Sequence, residues 1–329
     1  MPEKLQITIV GLGLVGASAG MALHRHAERL IVVGHDKDAG AAGRARSMGA
    51  VDRTEWNLIS AVRHADRILL ALPVSEIKAT LVAMAGDLKP GCVIVDTATL
   101  KAPVLAWAAE SLPAHASLIG GDPILVSERQ GTANAKADLF SGKPFCLVAD
   151  AGAQAQALQM ATDLVEALGA RPFFVGAEEH DGLLAAVEHL PALLAAALCR
   201  AVSGAESWQE MRKLAGSQFY ASSYIVESDA QALAGACLAN GANLSRWLDN
   251  LIVELGQWKE MLEPGDQTAL AAAFEDAMQT AARWSQAQAT NAWDDSEPLV
   301  EMPSAGSEFR RLLGFGGRGE SAKQPRKKQ

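Results

Sequence analysis

The amino-acid sequence predicts an α/β protein: an N-terminal Rossmann-like, doubly wound, mainly parallel sheet followed by an all-α C-terminal domain. Three observations carry this. From residue 5 to about 176, short β-branched runs alternate with helix-period segments, as consecutive βαβ units do. The strand signal then stops, and residues 179 to about 289 read as long helices with Pro191, Gly216 and Pro264-Gly265 as the few breakers. The chain has 329 residues, 49% of them hydrophobic, which at roughly 150 residues per domain supplies two cores. The expected domains are 1–176, a nucleotide-binding sheet domain; 177–290, a helical substrate and dimerisation domain; and 291–329, a disordered tail with a basic end.

In chain order, strands are expected at 5–10, 30–34, 67–72, 92–96, 117–120, 144–149 and 171–175. Helical segments at 75–86, 101–111 and 153–168 lie between them and end near Gly or Pro. The apolar stretch 183–199 is interrupted by Glu188, His189 and Pro191, falls short of the roughly 20 residues a bilayer requires, and reads as a buried core helix. Past residue 291 the chain is too rich in Pro, Gly and charge to bury a core.

Charge and cysteine usage exclude several function classes. Asp and Glu total 38 against 29 for Lys and Arg, and the net charge of -9 repels a phosphate backbone, so nucleic acid is not an expected partner. Cys92, Cys146, Cys199 and Cys237 stand far apart, without a CxxC pair or a Cys/His cluster; no metal site is expected, and a reducing compartment suits them. The N-terminus enters an apolar strand at once, without the regions of a secretory signal. A cytoplasmic protein without a membrane partner is therefore expected.

The most specific motif is Gly11-Leu12-Gly13-Leu14-Val15-Gly16, directly after the first strand and opening a helix over 17–26. Gly11 permits the tight turn, Gly13 lets the backbone approach a pyrophosphate, and Gly16 lets helix and strand pack closely, while the helix N-terminus offers unpaired N–H donors. Asp36 ends the second strand twenty residues after Gly16, where a carboxylate accepts ribose hydroxyls and repels a 2′-phosphate. NAD is thus expected over NADP, with Lys37, Arg44 and Arg46 as the basic groups that would soften the preference.

Beyond this loop the sequence resembles the prephenate and arogenate dehydrogenase family of tyrosine synthesis, over about residues 5 to 285. The matching pieces are Ala65-Asp66 leading into Leu69-Leu70-Ala71-Leu72-Pro73-Val74; Asp96-Thr97-Ala98-Thr99-Leu100-Lys101, similar to the family's D-x-x-S-x-K; Gly120-Gly121-Asp122-Pro123; Ser127-Glu128-Arg129-Gln130-Gly131; Ala137-Asp138-Leu139-Phe140; His180-Asp181; and His189-Leu190-Pro191. The resemblance implies an oxidative decarboxylation in which hydride leaves a carbinol carbon for nicotinamide, carbon dioxide departs and a ring becomes aromatic. It also implies a homodimer through the helical domain, a cyclic hydroxy or amino acid as substrate, and cofactor contacts from residues 11–16, Asp36, Leu72, Pro73 and Thr97.

Three functional positions depart from the family pattern. Asp122 stands where the family has its catalytic histidine, Tyr224 where it has a substrate-binding arginine, and Ala192 where it has the second histidine of S-H-L-P-H. Asp122 still accepts a hydroxyl hydrogen bond, and burial would raise its pKa toward the range of a working base. The candidate catalytic residues are therefore Asp122, Thr99, which keeps the family's hydroxyl, and Lys101. The candidate substrate-binding residues are Arg129, His180, His189 and Tyr224, with Lys101 and Arg129 as better replacements for the lost positive charge than Arg212 or Arg246. Three readings stay open: a prephenate or arogenate dehydrogenase, a dehydrogenase of a less anionic hydroxy or amino acid, and an NAD-binding protein without turnover that is read by a partner. The tryptophans Trp247 and Trp258, with Leu244, Leu248, Leu251 and Leu255, read as a packed helix face.

Overall fold

The structure is a computed structural model that describes residues 4–125, 131–150, 152–223, 230–262 and 265–290. The chain divides into Met1–Asp294 and Asp295–Gln329; the second unit, and with it most of the expected basic tail, lies outside the described residues, as do Arg129 and Tyr224.

The sheet is built from β1 (Leu5–Val10), β2 (Leu30–His35), β3 (Arg53–Thr54), β4 (Arg67–Leu70), β5 (Val93–Asp96), β6 (Ser117–Pro123), β7 (Pro144–Val148) and β8 (Arg171–Phe174), in the spatial order β3-β2-β1-β4-β5-β6-β7-β8. Neighbouring pairs are parallel except β6 and β7. From β1 the chain winds outward through β2 to one edge, then returns to lay β4 on the other side of β1. The break between β1 and β4 is thus the topological switch point, where α/β sheets take ligands at the carboxyl ends of their strands. β1 is buried from Gln6 to Val10, as a central strand covered on both faces must be.

The helices of this half are α1 (Leu14–Leu23), α2 (Ala39–Ser47), α3 (Leu58–Val62), α4 (Val74–Met84), α5 (Ala102–Ser111) and α6 (Ala155–Ala167). Two strand expectations need correcting. β3 was not foreseen, because two residues pairing with Val33 and Gly34 are too short to show any period. The strand expected to end at residue 120 runs on to Pro123, because antiparallel pairing with β7 matches Gly121 to Leu147, Asp122 to Cys146 and Pro123 to Phe145. That extension carries Asp122 into the sheet.

The C-terminal half contains α7 (Ala177–Leu184), α8 (Leu190–Ser203), α9 (Trp208–Leu214), α10 (Ser217–Ser223), α11 (Ala230–Ala239), α12 (Gly241–Leu262) and α13 (Gln267–Thr290). A π-helical turn, Ala185–His189, joins α7 to α8 without a break. Pro191 is therefore not the breaker the sequence suggested: it sits in the first turn of α8, just past the widened turn, where a missing N–H is tolerated. The joined helix Ala177–Ser203 is long and apolar enough to cross a membrane, with mean hydropathy 1.8, and only 17% of that apolar window is buried in the chain. The segment expected to be a buried core helix is thus continuous through the π turn, with Ala185, His189 and Ala195 buried and Leu183 and Val187 at least half exposed. On α12, Leu244 is buried but Leu255 is 56% exposed, so the expected face is only partly packed; Trp258 stacks edge-on against Phe274 of α13 at 4.8 Å.

Candidate active site

The loop between β1 and α1 is shaped by its glycines. Gly11 has φ +92°, and a Cβ there would run into the Ala71 carbonyl; a Cβ on Gly16 would run into the carbonyl of Gly11. A Cβ on Gly13 meets nothing within 4 Å. Two of the glycines thus answer to the protein's own backbone, and Gly13 to empty space. That space belongs to a cavity of about 380 Å³ lined by Gly11, Gly13, Asp36, Leu72, Pro73 and Glu76, among others.

Asp36 faces this cavity with part of its bonding already used. Its Oδ2 accepts the Leu12 N–H at 2.7 Å and its Oδ1 the Asp38 N–H at 2.8 Å. An ionised carboxylate has about four acceptor sites, so capacity for a diol remains. Lys37 is paired with Glu76, and Arg44 with Asp38 at 3.4 Å, so two of the basic groups that would favour a 2′-phosphate are engaged. Of the other expected cofactor contacts, Leu12 is fully buried and Leu14 nearly so, hence both belong to the packing beneath the loop; Val15 and Thr97 are half-buried, and Thr97 Oγ1 donates to the Leu70 carbonyl at 3.3 Å.

The second cluster lies where the two halves meet. Asp122, buried at the end of β6, has Oδ2 3.2 Å from Nε2 of His180 on α7. Nδ1 of His180 lies 3.0 Å from Oδ1 of Asp181. Asp181 in turn accepts the Lys101 N–H at 2.7 Å and the Ala102 N–H at 2.9 Å, so it caps the N-terminus of α5 from the other half of the protein. Burial works against the charge on His180, but its contacts with Asp122, Asp181 and Cys146 outweigh that and push its pKa up to about 11. Burial pushes the Asp122 carboxyl up, against the pull of His180 and Lys101. The direction that decides the state of the pair is that of His180: an imidazole held between two carboxylates is an imidazolium at neutral pH.

Lys101 is engaged inside the sheet domain. Its side chain is fully buried, Nζ is paired with Asp96 and donates to the Gly121 carbonyl at 2.6 Å. Asp96 also accepts the Gly121 N–H at 3.1 Å and the Ala98 N–H at 3.0 Å. The charge is thus paired within the sheet domain. Thr99, half-buried, follows Asp96 in the same turn. Arg212 is exposed on α9, and Arg246, also exposed, bonds Asn243 at 2.6 Å.

His189 is buried at the end of the π turn, with Nδ1 3.3 Å from Nδ2 of Asn240. Sequence reasoning missed Asp181, Asn240 and Asp96 as members of this network. Asp181 and Asp96 stood inside motifs already quoted, so a carboxylate beside a candidate histidine was the available signal. Asn240 lies between α11 and α12 with no motif around it.

Fold and site together define a two-part oxidoreductase with a nucleotide-binding sheet domain. Residues 19–173 match the family model described as prephenate dehydrogenase, nucleotide-binding domain, and residues 176–276 match prephenate dehydrogenase, dimerization domain. The chain is 32% identical over 273 residues to the cyclohexadienyl dehydrogenase of Zymomonas mobilis, covering 82% of this chain and 92% of that protein. It is 26% identical over 276 residues to the prephenate dehydrogenase of Bacillus subtilis, covering 83% and 74%. Among solved structures, a prephenate dehydrogenase from A. aeolicus in complex with hydroxyphenyl propionate and NAD+ superimposes with TM-score 0.78 at 20% identity, over 85% of this chain and 98% of that one. The chain belongs to the prephenate and arogenate dehydrogenase family and is a prephenate dehydrogenase-type oxidoreductase of tyrosine biosynthesis.

Proposed function

We propose that the protein is an NAD-dependent dehydrogenase that converts prephenate or arogenate, or a closely related cyclohexadienyl hydroxy acid, to its aromatic product with loss of carbon dioxide. NAD is held by residues 11–16, with Asp36 on the adenosine ribose and Leu72, Pro73 and Thr97 on the wall beside it. Bound NAD supplies the hydride acceptor. NADP fits less well, because Asp36 repels a 2′-phosphate and Lys37 is tied to Glu76.

The observation that carries the catalytic reading is the contact between Asp122 and His180 at 3.2 Å. In this reading Asp122 accepts the substrate's hydroxyl proton, and His180, oriented by Asp181, stabilises the carboxylate and moves with the proton's charge. After carbon dioxide leaves, the same proton returns to the phenolic oxygen, so the pair ends as it began. Thr99 offers a hydroxyl to the bound molecules, and His189 a ring nitrogen. Arg129 and Tyr224 complete the substrate side as proposals from the sequence.

The exposed apolar side chains Leu183 and Val187 on the helix Ala177–Ser203 and the dimerization-domain match support a homodimer through the helical half. The four free cysteines suit the cytoplasm. The test of function is NADH formation from prephenate and from arogenate across pH 6 to 10, with Asp122→Asn and His180→Gln as controls. NADH from either substrate, reduced at least a hundredfold in Asp122→Asn, is the expected result, and none from both would count against it. One observation favours a second reading, in which NAD binds without turnover: Asp122 is only 5% exposed, with Oδ2 turned to His180. Tight NAD binding with no substrate that reduces it would support that reading. The less anionic substrate is supported by Lys101 being locked to Asp96.

A further inference from the structure

We infer that His189 is the site's neutral hydrogen-bond donor, fixed by Asn240 in the tautomer that carries its proton on Nε2, and that it takes an oxygen of the substrate. Three bonds lead to this. Asn240 Nδ2 lies 2.7 Å from the carbonyl of Asp181, which can only accept, so the amide nitrogen must be the atom on that side. Asn243 donates to Asn240 Oδ1 at 2.8 Å, which fixes the other side. The second amide hydrogen then faces His189 Nδ1 at 3.3 Å, and that nitrogen must be a bare acceptor. The proton of the neutral ring therefore sits on Nε2.

Nε2 is buried and has no hydrogen-bond partner among the described residues, while the residue as a whole is 2% exposed. A buried N–H without an acceptor carries a desolvation cost, and a bound oxygen would remove it. Burial also lowers the pKa of His189, which keeps the ring neutral. Asn240 ties it to the catalytic cluster, since the carbonyl it holds belongs to Asp181, whose carboxylate orients His180. A neutral donor cannot grip a carboxylate as a guanidinium does; it donates to carbonyl, hydroxyl and carboxylate oxygens alike, and so broadens the substrate class on that side.

This rests on the reading that substrate enters beside Asp122, and the test separates the two. In full-length protein labelled with 15N in its imidazoles and saturated with NAD, the His189 signals are expected to show a protonated Nε2 and a bare Nδ1, and to move when prephenate or arogenate is added. His189→Leu is expected to raise KM at least tenfold with NAD affinity unchanged, and His189→Gln, which restores an N–H at the position of Nε2, to recover most of it. A proton on Nδ1, or signals unmoved by both compounds, overturns the inference whatever the turnover. Moved signals without NADH keep it and remove the turnover reading instead.

Discussion

His180 on α7 reaches across to β6 and sets Nε2 3.2 Å from Oδ2 of Asp122, so the sheet and the helical half are joined by a buried ion pair. The ordinary pKa of a histidine is near 6.5, and here it is pushed up to about 11. A raised histidine binds its proton more tightly folded than unfolded, so its contribution to stability is fully present below about pH 6.5 and is lost as pH climbs through about 11. Urea unfolding of the wild type is expected to weaken steadily from pH 7 to pH 10, and His180→Gln to flatten that slope. A wild-type slope equal to that of the variant would show that the proton is not held there.

Removing one partner of a buried ion pair costs more than the pair contributes, about 3–5 kcal/mol. Lys101→Met, which strands Asp96 in the sheet domain, is therefore expected to lower unfolding free energy by about that amount. If the folded variant instead kept its stability and lost only substrate affinity, Lys101 would be a substrate ligand after all.

The glycine loop allows a sharper separation. Gly13→Ala adds a methyl group to open space at φ -69°, so the chain is expected to fold with stability within about 0.5 kcal/mol of wild type and to bind NAD at least tenfold more weakly. Gly16→Ala drives the same methyl group into the Gly11 carbonyl and is expected to lower the melting temperature as well. Calorimetry of NAD binding beside thermal melts distinguishes the two; equal NAD affinity in Gly13→Ala would mean that the cofactor does not approach this backbone.

Asp36→Ser is expected to narrow the preference for NAD over NADP by weakening NAD and relieving repulsion of the 2′-phosphate. Because Asp36 also accepts the Leu12 N–H, a small loss of stability should accompany it. Dissociation constants for both dinucleotides, measured by fluorescence, check the point.

The parallel strands were readable because a strand buried on both faces is written as a run of β-branched residues, as in Leu5–Val10 and Val93–Asp96. The nucleotide loop was readable because its chemistry is local: strand, glycines and helix are consecutive. The surroundings of Lys101 were not readable for the opposite reason: its partner Asp96 lies in the same motif, but the Gly121 carbonyl that completes the cage comes from a neighbouring strand. Pro191 was misjudged because a π turn, which leaves no signature in apolar period, carries the helix past it.

By itself the sequence determined the order of strands and helices, the dinucleotide loop with its acidic residue, and the family. The strands, helices and loop follow from patterns within a few tens of residues, where backbone geometry and side-chain period act directly, and the family from the order and spacing of such local motifs along the chain. Tertiary structure alone decided that Asp122 meets His180, that Asp181 caps a helix of the other half, and that Asn240 sets the proton of His189. Those contacts join residues about 50 to 80 positions apart, and the charge and tautomer of each group depend on which neighbours burial brings within bonding distance.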